Sequence, residues 1–394
     1  MSDSFDLVVI GAGIHGTGIA QAAAAAGHSV LLLEQTAVAA GSSSRSSKLI
    51  HGGLRYLETG QFALVRESLH ERALMLRLAP TLVHLQRFYI PVYTHTRRRP
   101  WQLRVGLSLY ALLSGFRPES RFGTVPRRDW NRLDGLDMRG LQAVFWYQDG
   151  QTDDRALTQA VLRSAEGLGA KFLCPASFQS AQLTEDGVVL SVLNGERVTE
   201  YRARVLINAA GPWAQAVAHR ISPAIPVPPL ESVQGAHLRL NASLERGIYY
   251  LESPRDGRAV FVMPWKGQVL VGTTESRFHG DPATVAASPA EIHYLLGVLR
   301  HYFPRWRPPA DPEVIESFAG LRVLPAGTGH AFHRSRETQL ILDRATRPRV
   351  LSIYGGKLTT WRAVAHRALG QIAGSLPRRR PIARTDRLSL SVQS

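Results

Sequence analysis

The 394-residue sequence predicts an α/β protein: a nucleotide-binding unit on a central parallel sheet, joined to a second unit with a mixed or antiparallel sheet. Three observations predict it. Strand, glycines, helix, strand and acid follow one another in order over the first 34 residues. Apolar strands return much later, at Arg204–Asn208 and Val350–Tyr354, each ending in small residues. Between them, Gly235–Leu240, Tyr249–Leu251, Ala259–Met263 and Val269–Thr273 read as neighbouring antiparallel strands.

The first element is the strand Asp6–Ile10, followed by Gly11-Ala-Gly13-Ile14-His15-Gly16 and an alanine-rich helix to about Ala26. Gly11 allows the tight turn, Gly13 lets backbone approach a pyrophosphate, and Gly16 lets helix and strand pack closely. The helix start, at Ile14 and His15, offers N–H groups and a positive dipole end to phosphates. Val30–Leu33 ends at Glu34, whose carboxylate can accept from ribose hydroxyls and disfavours a 2′-phosphate. This is a Rossmann-like dinucleotide site.

The next segment selects FAD over NAD. Gly41-Ser-Ser43-Ser44-Arg-Ser46-Ser47-Lys48-Leu49-Ile-His51-Gly52-Gly53-Leu-Arg55-Tyr56 holds too many small hydroxyl residues for a strong helix. It supplies hydroxyls, a lysine, a histidine and paired glycines, as expected of backbone wrapped around a cofactor. A helix follows over Gln61–Leu78, ended by Pro80, then a strand over Gln86–Tyr93 and a helix over Trp101–Phe116. An irregular stretch reaches about Asp137. Leu157–Gly167 reads as helix, and Lys171–Leu173, Val188–Leu193 and Arg197–Val205 as strands. Arg204–Asn208 returns the chain to the nucleotide sheet and ends in a small-residue turn at Gly211. Proline-rich Ser222–Leu230 marks a boundary. Val350–Tyr354, Gly355-Gly356 and a helix from Leu358 to about Ile372 close the fold, presenting N–H groups beside Lys357 and Thr359. Such a junction would stabilise the negative charge of a reduced flavin. The expected division is an FAD-binding domain of 1–78, 148–221 and 340–376, a substrate domain of 79–147 and 222–339, and a basic tail of 377–394.

Composition narrows the function. Lys and Arg number 47 against 31 Asp and Glu, a net charge of +16, and lysine occurs only at 48, 171, 266 and 357. That balance suits anionic partners, but without a zinc finger, RNA-binding signature or basic helix, nucleic acid is not expected. No apolar run spans a membrane, and the first strand begins too early for a signal peptide, so a cytoplasmic chain is expected. The single cysteine, Cys174, excludes an internal disulfide and a CxxC pair, and it is expected to pack as a small apolar residue. No metal site is expected.

The blocks IGAGIHGTG, SSSRSSKLIHGGLRYLE, AAGPW, GTTE and YGGKLTTWR resemble the FAD-dependent glycerol-3-phosphate dehydrogenase family, within the D-amino-acid-oxidase-like flavoproteins. The similarity runs from about residue 5 to about 370. It is to a short form, without the C-terminal helical domain of the family's long members. In Asp153-Asp154-Arg155 the arginine sits one place earlier than the family pattern. The resemblance implies oxidation of sn-glycerol 3-phosphate to dihydroxyacetone phosphate, with hydride passing to FAD and electrons onward to quinone or another acceptor. His51 and His237, in KLIHGG and QGAHLRL, are the candidate bases, and Arg322, in AGLRVLP, is a further candidate catalytic residue that matches a family position for holding the anion. Arg55, Tyr56, Thr273, Arg336 and Lys357 are implied substrate contacts, arginine's planar fork suiting phosphate. FAD contacts are expected from Gly11, Gly13, Ile14, His15, Gly16, Glu34, Ser43, Ser44, Ser46, Ser47, Lys48, Leu49, His51, Gly52, Gly211, Gly355, Gly356, Lys357, Leu358 and Thr359. Two alternatives remain: a flavin oxidase of an amino or hydroxy acid using O₂, or a low-activity flavin-binding subunit.

Trp101, Val105, Leu109, Leu112 and Phe116 share one side of their helix, and Arg97–Arg99 and Arg117 flank it. This pattern fits an interfacial anchor or a buried helix. With the resemblance, peripheral association with an anionic membrane, at the inner face of the cytoplasmic membrane, is expected. A homodimer is compatible with the sequence.

Overall fold

The structure, a computed structural model, describes residues 3–326 and 337–391. Its helices are α1 (Ile14–Ala25), α2 (Phe62–Leu78), α3 (Pro100–Leu113), α4 (Asp154–Gly167), α5 (Ala214–Ala218), α6 (Pro289–Tyr302) and α7 (Trp361–Ile372). Among the described residues two sheets form, of nine and ten strands.

In the first sheet Lys171–Leu173, Val30–Leu33, Ser4–Ile10, Arg197–Asn208 and Val350–Tyr354 lie side by side in parallel, with Leu7 between Val30 and Val205. The uninterrupted apolar run at Leu7–Ile10 reflects burial on both faces. Leu7 and Val9 pack with Ile19, Ala23, Ala365 and Ala368 of α1 and α7. Val8 and Ile10 face the antiparallel ribbon Ser177–Leu183 and Val188–Asn194. Helix α1 is apolar nearly all round because it is wedged between α4 and α7. Gly18 leaves space for the Trp361 ring, which a Cβ would meet at 2.5 Å.

The second sheet is mostly antiparallel, with one parallel pairing between Ile248–Glu252 and Val83–Tyr93. Helix α6 covers one face through Leu295, Val298, Leu299 and Tyr302. On the other face α2 and α3 bury Val65, Leu69, Leu103, Leu107 and Tyr110. The strand Leu141–Thr152 crosses the expected boundary at residue 148 and pairs with both Val83–Tyr93 and Leu49–Ile50. The serine block therefore leads straight into the second sheet. Several elements lie outside the sequence expectations, among them Leu141–Thr152, Ser177–Leu183, α6, and the strand Val314–Pro325, which runs along Leu230–Leu240.

A further expectation is corrected. Cys174 is exposed instead of packed, its thiol near the Thr36 carbonyl at 3.4 Å. Within the basic tail, residues 377–391 dock on the protein as a strap. Ile382 N donates to Ala25 O (2.8 Å), Leu390 N donates to Leu78 O (2.7 Å), and Leu390 is buried. Arg379 pairs with Asp6 at 3.1 Å.

Candidate active site

A cavity of about 890 Å³, lined from both sheets, runs from the glycine turn to the second sheet. Its nucleotide end is built as the fingerprint requires. Gly11 has φ +98°, and a Cβ there would stand 2.8 Å from Ala209 O. A Cβ on Gly16 would overlap the Gly11 carbonyl, so Gly16 serves packing and does not line the cavity. Glu34 lines it with a fixed carboxylate: Oε2 accepts from Ala12 N (2.9 Å) and Oε1 from Thr36 N (3.0 Å). Ser43 Oγ accepts from Ile14 N at 2.9 Å, closing one of the donors expected for phosphate. His15 is enclosed, and burial first, then Arg367, lowers its pKa to about 4. It is neutral near pH 7 and packs against Gly356, where a Cβ would overlap its ring.

The serine block is anchored from beneath by Asp154, which is fully buried at the start of α4. Ser46 donates to Asp154 Oδ2 through N (3.0 Å) and Oγ (2.7 Å). Lys48 Nζ donates to Asp154 Oδ1 (2.7 Å) and to Ser44 O (2.6 Å). Lys48 and Ser44, expected at the cofactor, are thus turned away from the cavity, because a buried carboxylate requires the lysine's charge. Gly52 is also withdrawn, its N–H donating to Tyr110 Oη at 2.8 Å. Ser43, Ser46, Ser47, Leu49, His51, Gly211, Gly355, Gly356, Lys357, Leu358 and Thr359 line the cavity with Gly13 and Ile14.

Around the far end stand His51, Tyr56, His237, Arg322 and Lys357. His237 is 1% exposed; its ring stacks on Phe318 with centroids 5.1 Å apart. Its Nε2 pairs with Ser47 Oγ at 2.9 Å. Burial first, then Arg322 and Lys48, lowers its pKa to about 3. Arg322 Nη2 donates to Thr273 Oγ1 (3.2 Å), and Nη1 lies 3.6 Å from Glu275. Thr273 itself stands behind Arg322 instead of lining the cavity. Lys357 Nζ lies 3.8 Å from the Tyr56 ring centroid. Arg55, expected at the substrate, does not line the cavity; its guanidinium sits 5.6 Å from the Tyr56 centroid. Arg336 lies outside the described residues. The sequence reading gave no site role to Phe318, Tyr110, Asp154 or Trp213, which lines the cavity; of these Trp213 lay in the AAGPW block and Asp154 carried a local signal as a helix-start acid.

The glycines, the acid at the second strand and the volume, near the upper end for ligand sites, fit a dinucleotide cofactor. The profile of the FAD dependent oxidoreductase family matches residues 6–362. A D-erythritol 1-phosphate dehydrogenase of Brucella abortus is 34% identical over 380 residues, 95% of this chain and 75% of the relative. A glycerol-3-phosphate dehydrogenase of Pseudomonas aeruginosa is 36% identical over 388 residues, 94% of this chain and 72% of the relative. The solved glycerol-3-phosphate dehydrogenase of Bacillus halodurans complexed with FAD has a TM-score of 0.76 at 25% identity, covering 98% of this chain and 68% of that one. An L-α-glycerophosphate oxidase of Mycoplasma pneumoniae shares the fold with a TM-score of 0.77 at 16% identity, both chains covered in full.

Proposed function

Because the chain belongs to the FAD dependent oxidoreductase family, we propose that it is a flavoprotein dehydrogenase oxidising sn-glycerol 3-phosphate to dihydroxyacetone phosphate. The observation that carries this reading is the meeting of two histidines, an arginine and a lysine at one end of a dinucleotide cavity. Secondary-alcohol oxidation needs a base, a cation at the developing oxyanion and a clamp for phosphate. When bound, FAD supplies the two-electron acceptor.

The chain's own residues divide the remaining work. Gly11 and Gly13 leave room for the pyrophosphate beside the helix start, where Ser43 holds the Ile14 N–H, Glu34 takes the ribose, and Ser43, Ser46, Ser47 and Leu49 wrap the flavin side. Gly355 to Thr359 bring backbone N–H groups and Lys357 to the ring end. His51 takes the hydroxyl proton on its imidazole. His237, tied to Ser47 and neutral, orients the alcohol as a polar wall. Arg322 and Lys357 hold phosphate and oxyanion charge, with Arg336 assigned to the same clamp from sequence alone.

The proposal extends to the acceptor. No helix among the described residues is long and apolar enough to cross a membrane. Yet α3 and the turn after it expose Trp101 (66%), Val105 (59%), Leu112 (55%) and Phe116 (70%). That stripe, beside Arg97–Arg99 and Arg117, supports peripheral binding to an anionic membrane and delivery of electrons to a quinone-type acceptor.

The test is anaerobic titration of the purified yellow protein. sn-Glycerol 3-phosphate should bleach the flavin and glycerol should not, with D-erythritol 1-phosphate as the comparison substrate. Bleaching by an amino or hydroxy acid, and not by either phosphate ester, would overturn the proposal.

A further inference from the structure

Behind the His51 loop lies a buried polar cluster with no part in the chemistry above. Arg72, Tyr110 and Asp149 are each at most 1% exposed. Arg72 Nη1 donates to Asp149 Oδ1 (2.5 Å) and Gln148 O (3.0 Å), and Nη2 donates to Ser120 Oγ (2.6 Å). Tyr110 Oη donates to Asp149 Oδ2 at 2.6 Å. The same oxygen accepts from Gly52 N at 2.8 Å. Burial pushes the Tyr110 phenol well above its ordinary range, so it keeps its proton and remains a donor. Apolar side chains of equal volume commonly hold a core as well as a buried ion pair does. A cluster of this kind therefore invites a positional explanation, and its link toward the cavity is the bond to Gly52.

Gly52 follows His51 directly. On the other side of that peptide, the Thr359 hydroxyl accepts from His51 N (3.2 Å) and lies 3.3 Å from His51 O. The His51–Gly52 unit is thus gripped by the start of the last helix and by α3. There is no slack in the second grip: a Cβ on Gly52 would run into Tyr110 Oη and stand 2.6 Å from Leu69 Cδ2.

We propose that Tyr110 is a positioning residue for the reaction: its hydroxyl, aimed by Asp149 and Arg72, fixes the Gly52 amide and so holds the His51 imidazole at the substrate end. This rests on the reading of His51 as the base. Phenylalanine would fill the same space and delete only the two hydroxyl bonds.

The experiment is Tyr110→Phe in the FAD-loaded protein, followed by anaerobic stopped-flow reduction and amide hydrogen exchange. The limiting rate of flavin reduction should fall on the order of 10- to 100-fold, as expected when a catalytic group is misplaced. Substrate dissociation constant and FAD content should change little. Exchange should quicken at Gly52–Leu54 while α2 and α3 keep their protection. An unchanged rate, or unchanged exchange at Gly52, overturns the proposal. So does loosening of α2 and α3 together with loss of FAD, which would assign Tyr110 to packing alone. If glycerol 3-phosphate does not reduce the wild-type flavin, the proposed function fails, and exchange at Gly52 still decides the positioning role. Should Tyr110→Phe not fold, Gly52→Ala probes the contact from its other side. It should retain FAD and lose rate, and normal kinetics there would also overturn the proposal.

Discussion

The Nε2 atom of His237 and the hydroxyl of Ser47 lie 2.9 Å apart, joining the second sheet to the serine block. The ring cannot retreat: Phe318 stacks on one face, and a Cβ on Gly272 would overlap its edge. The contact fixes the loop, while burial first, then Arg322 and Lys48, keeps the histidine neutral.

A pH dependence follows. The unfolded histidine protonates near pH 6.5, whereas the folded one resists down to about 3. Between those values the unfolded chain binds more protons, so this contribution is complete above pH 6.5 and is lost as pH falls. Its full extent is about 5 kcal/mol. Urea unfolding from pH 7 to pH 4 should show a shallower loss for His237→Gln than for wild type. Parallel curves would refute the assignment.

Arg322→Ala should lower kcat/KM by an amount equivalent to roughly 2–4 kcal/mol of transition-state stabilisation, the scale of a lost charge-assisted contact. Steady-state kinetics with glycerol 3-phosphate read it directly. Unchanged kinetics would remove the phosphate clamp and favour a carboxylate substrate.

Lys48→Met should destabilise the protein by about 3–5 kcal/mol, because it leaves Asp154 buried without its cation. Thermal melts should also show FAD loss. Lys48→Met with Asp154→Leu should recover part of the stability. If the single variant melts normally and only loses cofactor affinity, Lys48 is a cofactor ligand after all.

Leu112→Glu should weaken co-sedimentation with anionic vesicles at low salt while leaving FAD bound. Leu109 is a poorer probe, being half-buried where Leu112 is exposed. Failure of the wild type to co-sediment would send the search for the acceptor into solution.

Much of this was legible in sequence because it is local. The order Gly11, Gly13, Gly16, Glu34 encodes a turn, a helix start and an acid within one βαβ unit. The paired glycines and hydroxyls of the serine block likewise announce close backbone contact. The long-range partners were not legible: Lys48 meets Asp154 across 106 residues, and Ser47 meets His237 across 190. Helix α6 was readable and was missed, since Ser288 and Glu291 form a capping box ahead of an apolar repeat. The strand Val314–Pro325 lacks clean alternation because its first residues are exposed and its last are buried.

The serine block is held from four directions, by Asp154, His237, Thr359 and Tyr110. Ordering a free loop costs about 1–2 kcal/mol per residue, so recruiting ten residues at the moment of binding would consume on the order of 10 kcal/mol of a ligand's affinity. Here that entropy is surrendered during folding. The cradle is held by the chain's own contacts, so the affinity for its ligand is spent on contact instead of on assembly.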